Sequence, residues 1–479
     1  MSQIISGVTN AGPAATTMGI DLGTGSVKVA LVDDVSSVTS MASRTYRVHA
    51  PEPGWAESDP AEWLASTQAA AAEALAAAGS APTAVGFSGQ MHGVVVVDEN
   101  LDPLRPAILW ADTRSAAQAL RMGSDLGAST LARLGSAPVS GFAATIIAWL
   151  HENEPSVMRR ASYVLQPKDW LRAKLGGGIA TDPSDASGTL MFDVVRGSWS
   201  NAVLQWLSLA DDAIPPVLSS TAGVGAVHIG GVSVPAVVGG ADTACALAGL
   251  GVDGGFIAVG SGSQVVRVLG EPLLDETLRT HTFATAGDIG AGWYRIGAVQ
   301  SAGLTLTAAL AWFGASIDEA NAALEDGIRS SDPIFVPYLS GERTPFMDPS
   351  LRASWIGLSL ATDRAAMLRS VLEGVAQAVA LGVEAVQASG LRLPDVVPLV
   401  GGGTHALAFR QLLADTSDCT LAVAEAPHAA VVGAALLARG LTRSPAPATL
   451  GSVVEPDPVR RQLLAERRER MVLHAMKIV

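Results

Sequence analysis

A chain of 479 residues is too long for one hydrophobic core, so two domains of ordinary size are expected. Hydrophobic residues make up 49% of it and charged residues 16%, with a formal net charge of −14. That acidic balance argues against a nucleic-acid or anionic-membrane partner and leaves any anionic substrate to be held locally, by backbone dipoles or a metal.

Lysine occurs only at Lys28, Lys168, Lys174 and Lys477. The two cysteines, Cys245 and Cys419, form no zinc or redox spacing and fit a reducing, cytoplasmic setting. Residues 1–17 read as a flexible tail without the pattern of a signal peptide, and Met18 is a candidate internal start.

The first structured stretch is "MGIDLGTGSVKVALVD" (18–33), two apolar strands around the turn Gly23-Thr24-Gly25-Ser26. Successive backbone N–H groups in such a turn make an anion-binding concavity, and glycine lets a phosphate reach the backbone. The hydroxyls of Thr24 and Ser26 add donors. A carboxylate beside that turn repels a phosphate unless a cation lies between them, so Asp21 points to Mg²⁺ held through water. A structural aspartate bonding the turn's own N–H groups is the alternative.

"DPAEWLASTQAAAAEALAAAG" predicts a helix with Asp59 as N-cap, Pro60 in the first turn, Glu62 at capping-box spacing and Gly79 as the stop. Further on, "IAVGSGSQVVRVL" (257–269) echoes "IDLGTGSVKVALV" (20–32), with Gly260-Ser261-Gly262-Ser263 as a second turn. The echo suggests two domains of similar core topology. Ala258 stands where Asp21 does, so the carboxylate belongs to one half only. No Gly-Lys dipeptide supplies a Walker A loop, and Lys28 and Val265 occupy the third-glycine positions of a dinucleotide fingerprint.

The charge-free stretch 296–317 is long enough to span a bilayer, but Gln300, Ser301, Thr305 and Thr307 interrupt it. A buried strand running into a buried helix is expected there. Another helix runs from Asp363 to about Ser389, before Gly390. The C-terminal "DPVRRQLLAERRERMVLHAMKIV" reads as a charged helix, a solvated surface or an oligomer contact.

Several segments together carry a family resemblance: "AVGFSGQMHGVVVVDENLDPLRPAILWADTR" (84–114), "LQPKDWLRAKLGG" (165–177), "TDPSDASGTLMFDV" (181–194), "VVGGADTACALAGLG" (237–251), "FVPYLSGERTPFMDP" (335–349) and "VPLVGGGTHALAFRQLLAD" (397–415). Over about residues 18–440 the chain resembles the xylulokinases, in the carbohydrate-kinase family typified by glycerol kinase, gluconokinase and ribulokinase. The resemblance implies an α/β fold of two actin/hexokinase-like (ribonuclease H-like) domains with an interdomain cleft. It places a sugar-binding domain at 18–250 and a nucleotide-binding domain at 251–479, with a homodimer as the family-based expectation.

It also implies roles for matching residues. Asp242 corresponds to the base that takes a proton from the sugar hydroxyl; its place at a helix start favours the ionised carboxylate, although capping alone would also put it there. Met91 and His92, with Gln90 beside them, correspond to sugar contacts, and Trp110, Asp112 and Arg114 to a motif near the cleft, of which Trp110 and Asp112 are expected to touch the sugar as well. Gly23, Thr24, Gly25, Ser26, Gly260, Ser261, Gly262, Gly303, Gly402 and Gly403 fall on the ATP side. Ser263 is a further hydroxyl donor, and a helix carrying His405 follows the glycines.

The expected activity is ATP- and Mg²⁺-dependent conversion of D-xylulose to D-xylulose 5-phosphate. D-ribulose, L-xylulose, D-arabinitol and a non-catalytic sugar sensor are the alternatives. The departures from the family pattern are Ala111 for the usual Asn, Thr145-Ile146 for Pro-Lys, and Ala366 for a polar side chain.

Overall fold

The computed structural model describes residues 16–388, 390–404 and 406–477. Residues 1–15, Ser389 and His405 lie outside them, and with them most of the expected tail and the histidine after the glycines. The expected tail ends earlier than residue 17, because Thr17 already belongs to the first strand and Thr16 O accepts from Thr83 N–H.

The main-sheet strands of the first half are β1 (Thr17–Leu22), β2 (Ser26–Val32), β3 (Val38–Thr45), β4 (Val85–Gly89), β5 (Gly223–Ile229), β6 (Val232–Val237) and the short β7 (Gly240–Ala241). They form one sheet in the order β5-β6-β4-β1-β2-β3, with β7 also beside β4. The second half contributes β8 (Gly255–Val259), β9 (Ser263–Leu269), β10 (His281–Ala284), β11 (Trp293–Val299), β12 (Val397–Val400), β13 (Leu421–Glu425) and β14 (Thr449–Val454). Their order is β10-β11-β9-β8-β12-β13-β14.

The echo between the two glycine turns is therefore topological. In each half a hairpin is extended by a third antiparallel strand, β3 or β11. On its other side the first strand pairs in parallel with β4 or β12, and that strand in parallel with β6 or β13. An antiparallel strand, β5 or β14, closes each sheet, and β10 is an added edge strand in the second.

The helices that matter for the site are α1 (Pro60–Ala78), α2 (Ala143–Asn153), α3 (Pro167–Lys174), the five-residue α4 (Pro183–Ser187), α5 (Asp242–Leu250), α6 (Gly303–Trp312), α7 (Arg364–Gln387), α8 (Ala429–Ala438) and α9 (Pro458–Ala475). Asp59 caps α1 by accepting from Ala61 N–H, and Gly79 ends it in the left-handed region at φ 67°. The capping box does not close, because Glu62 Oε2 accepts instead from Arg47 N–H at 3.3 Å. The charge-free stretch 296–317 is strand β11 running into α6, as its pattern predicts, but the helix is buried on one face only, with Leu304 and Trp312 exposed on the other. Among the described residues, the helix long and apolar enough to cross a membrane is α7, which is buried against β9 and β11.

Met18, Ile20 and Leu22 of β1 pack with Trp63, Ala70 and Ala74 of α1. The opposite face of the same sheet is covered by α8, which arrives from the far end of the sequence. Glycines permit this approach. A Cβ at Gly19 would lie 1.9 Å from Val431 O, one at Gly86 1.9 Å from Ala434 O, and one at Gly249 2.0 Å from Ala429 O. The chain is thus not divided cleanly at 250/251: a helix of the second half completes the core of the first.

Candidate active site

Three neighbouring parallel strands end together. Asp21 of β1 is in register with Ser88 of β4, and Ser88 with Gly240 of β7. The chain just beyond each strand therefore meets at one edge: the turn from Gly23, the run Gln90-Met91-His92, and Asp242. The carboxyl ends of parallel strands are where open α/β sheets bind ligands.

Asp21 accepts from Ser88 Oγ at 2.9 Å, while the turn's Gly23 N–H goes to Ser26 O at 2.9 Å. Burial pushes the Asp21 carboxyl up, against the opposing pull of Lys28, its register partner on β2. Asp242 is the first residue of α5, and its Oδ1 accepts from Thr243 N–H at 2.6 Å. The helix start alone predicts a well-ionised group. Instead burial, reinforced by the charge of Asp21, raises Asp242 to about 6. Two carboxyls held up in this way form a site that a divalent cation would relieve.

In the first turn, Gly25 is exposed and a Cβ there would meet open space. Tyr46 O–H donates to Gly23 O, and Trp110 Nε1–H donates to Thr24 Oγ1 at 2.9 Å. In the second turn, Gly260 N–H donates to Gly262 O at 2.8 Å, with Ser261 and Gly262 exposed. Ser263 departs from expectation, because its hydroxyl donates to Ala258 O at 2.7 Å and is buried.

Gly303 packs directly on the second turn. Its N–H donates to Gly260 O at 3.0 Å, and a Cβ there would stand 2.3 Å from that same oxygen. Gly402 faces open space, whereas Gly403 lies against Val259. Of the glycines expected on the ATP side, Gly260 and Gly303 meet at the β8–β9 turn and Gly403 lies against β8, while Gly23 and Gly25 belong to the β1–β2 turn.

At the other end, Met91 is buried and receives the Tyr294 O–H on its Sδ at 3.8 Å. His92 adopts a left-handed φ of 72°, rare for a residue with a Cβ, so surrounding contacts must hold it there. Its Nδ1 lies 2.6 Å from Gly188 O, and its ring stacks on Phe142 at 3.8 Å. A carbonyl only accepts, so Nδ1 carries the proton and Nε2 is left as an acceptor. Burial lowers His92 to about 3, which keeps the ring neutral. Gln90 donates Nε2–H to Gly23 O at 3.3 Å, and its buried Oε1 has no partner among the described residues.

Two expected sugar contacts are engaged elsewhere. Asp112 accepts on Oδ1 from Arg114 N–H and Nε–H, and on Oδ2 from Ala56 N–H and Arg114 Nη2–H. Four donors fill a carboxylate's four acceptor positions, so none remains for a sugar. Arg114 in turn lies 3.5 Å over the Trp55 ring. Trp110 ties the Gly23–Ser26 turn through Thr24 and lies under the Arg343 guanidinium, 5.2 Å away.

The segments at 165–177 and 181–194, whose role is not legible in the sequence, prop the site. Lys168 Nζ lies 2.7 Å from Asp169 and 3.0 Å from both Asp182 and Asp185, all fully buried. Arg172 binds Asp169 at 2.8 Å and Val238 O at 2.6 Å. Burial pushes the Asp185 carboxyl up, against the opposing pull of Lys168. Ser184 donates to Asp182 and accepts from Ala241 N–H at 2.9 Å, one residue before Asp242. The signal was present as a lysine and four acids or hydroxyls in apolar surroundings, but only packing shows what they hold.

The departures are absorbed locally. Thr145 Oγ1 bonds Phe142 O at 2.9 Å and Ser115 Oγ at 3.0 Å, and Ile146 is core. Ala366 uses its backbone to bond the cap Asp363, and Ala111 is exposed.

Residues 16–249 match the model of the FGGY family of carbohydrate kinases, N-terminal domain, and residues 236–439 that of its C-terminal domain. The chain is 34% identical over 416 residues to the xylulose kinase of Escherichia coli (strain K12), covering 84% of each chain. It is 30% identical over 441 residues to that of Bacillus subtilis (strain 168), covering 88% of this chain and 87% of the other. Among solved structures, a xyloylose kinase from Brucella ovis aligns with a TM-score of 0.88 at 30% identity, over 96% of this chain and 100% of that one. A Plasmodium falciparum glycerol kinase with ADP aligns with a TM-score of 0.86 at 21% identity, over 96% and 98%, a likeness of fold alone.

Proposed function

The chain belongs to the FGGY family of carbohydrate kinases, and from that premise we propose that it transfers the γ-phosphoryl group of ATP to D-xylulose, giving D-xylulose 5-phosphate and ADP, with Asp242 as general base. One observation carries the reading: Asp242, the Gln90-Met91-His92 run and the Asp21 turn converge on one strand edge.

In this mechanism the sugar lies against Met91 and His92, with the hydroxyl to be phosphorylated beside Asp242. Neutral His92 accepts a sugar O–H on Nε2. Asp242 takes the proton as the sugar oxygen bonds to the γ-phosphorus and the bond to the ADP oxygen breaks. The turns at 23–26 and 260–262 aim N–H and hydroxyl donors at phosphate oxygens from opposite domains. Asp21, with Asp242 near, would hold Mg²⁺ through water, and the cation would offset triphosphate charge that this acidic chain has few lysines to meet. Positioning and charge stabilisation supply most of the rate, and closure keeps water from the phosphoryl group.

The test is a substrate panel with coupled ADP detection. D-xylulose should give the highest kcat/KM among D-xylulose, D-ribulose, L-xylulose and D-arabinitol. Preference for another member corrects the substrate. No sugar-dependent ADP with any of them, while sugar binding persists, would make the chain a sensor.

A further inference from the structure

Strand β10 is the edge of the second sheet, and it carries a histidine that nothing so far uses. His281 is 2% exposed, and neither ring nitrogen has a hydrogen-bond partner among the described residues. Leaving a buried imidazole unpaired is costly, because both nitrogens lose water and gain nothing. A phenylalanine would fill the same space without that cost. Its ring neighbours are aromatic, with the charge of Arg343 also near: the His281 ring stacks on Phe283 at 5.8 Å and 5°, and lies 5.7 Å from Phe142.

Those two neighbours are the walls of His92, which stacks on Phe142 at 3.8 Å and tilts on Phe283 at 5.7 Å. Phe283 also meets Tyr294, whose hydroxyl reaches Met91. His281 and Phe283 are two residues apart on one strand and so share a face. The second domain thereby sets an imidazole with an open donor and an open acceptor into the same aromatic box as the first domain's sugar-contact candidates.

We propose that His281 is a specificity-determining sugar contact supplied by the nucleotide-side half, one that bonds a hydroxyl of the substrate remote from Asp242. The inference rests on the sugar-kinase reading above. His92 is fixed as an acceptor by Gly188, whereas His281 is free to take either tautomer, and together they suit a hydroxyl pair that both donates and accepts.

The test is His281→Phe, assayed with D-xylulose and its monodeoxy analogues, with melting followed in parallel. KM for D-xylulose should rise about 3- to 10-fold, the worth of one neutral hydrogen bond, with KM for ATP within twofold and melting unchanged or raised. In the wild type one monodeoxy analogue should lose the same factor, and in the variant that analogue and D-xylulose should be used alike. His281→Gln, which keeps a donor and an acceptor, should retain part of the discrimination and decides the matter if the phenylalanine variant does not fold. An unchanged KM and analogue profile overturns the inference, whether melting falls, as for a packing role, or rises, as for a site that holds only a buried water. Wild-type enzyme that phosphorylates no pentulose would instead overturn the parent reading, and the inference with it.

Discussion

Asp21 and Asp242 lie on either side of one intervening strand, and the charge of the first adds to burial in holding the proton on the second. An aspartate poised near 6 is a better proton acceptor at neutral pH than an ordinary one, because its conjugate acid is weaker while the group remains largely ionised.

The pH profile should follow from this. As pH falls through about 6, Asp242 gains a proton and kcat/KM should fall along a limb of unit slope. The raised carboxyl contributes stability that is present below its ordinary value near 3.8 and lost as pH rises through about 6. Relative to wild type, Asp242→Asn should therefore gain in melting temperature as pH is raised from 4 to 7. A rate profile flat down to pH 4.5 would remove the base from this position.

Asp242→Asn should also lower kcat by roughly 10²–10⁴, the usual contribution of a general base. Sugar affinity, read by calorimetry, should change far less. Wild-type turnover in this variant would show that the proton leaves by another route.

Ser184→Ala removes the acceptor of Ala241 N–H and a donor to Asp182 inside a fully buried cluster. The orphaned groups should cost about 1–3 kcal/mol of stability, measured by denaturant titration. The β7–α5 junction carrying Asp242 loses its tether at the same time, so kcat should fall about tenfold while KM for ATP stays put. Loss of stability with kcat intact would confine Ser184 to the fold.

Two glycines should separate packing from binding. Gly86→Ala drives a Cβ onto Ala434 O, so α8 must shift, and stability should fall by about 1–3 kcal/mol or more. Gly25→Ala meets open space and should leave stability within about 0.5 kcal/mol. Its methyl nevertheless stands where a phosphate would approach the backbone, so KM for ATP should rise several-fold. Equal melting temperatures for the two variants would contradict the close approach of α8.

The sequence by itself determined what is local: the two glycine turns with a carboxylate beside only one of them, the capped helix from Pro60 to Ala78, and the strand-to-helix run at 296–317. The paired motifs also made the family and its two-domain α/β plan legible, because their order and spacing are features of the chain itself. Only the tertiary structure decided that Asp112 is saturated by Arg114 and Ala56, that Ser263 bonds its own strand, and that α8 crosses back onto β1 and β4. It alone raised Asp242 to about 6, set Lys168 and Ser184 in the buried cluster behind it, and put His281 beside the aromatic walls of His92. The reason is physical. A turn or a cap follows from neighbours along the chain, whereas desolvation, charge coupling and hydrogen-bond saturation depend on groups separated by many tens of residues that only packing brings together.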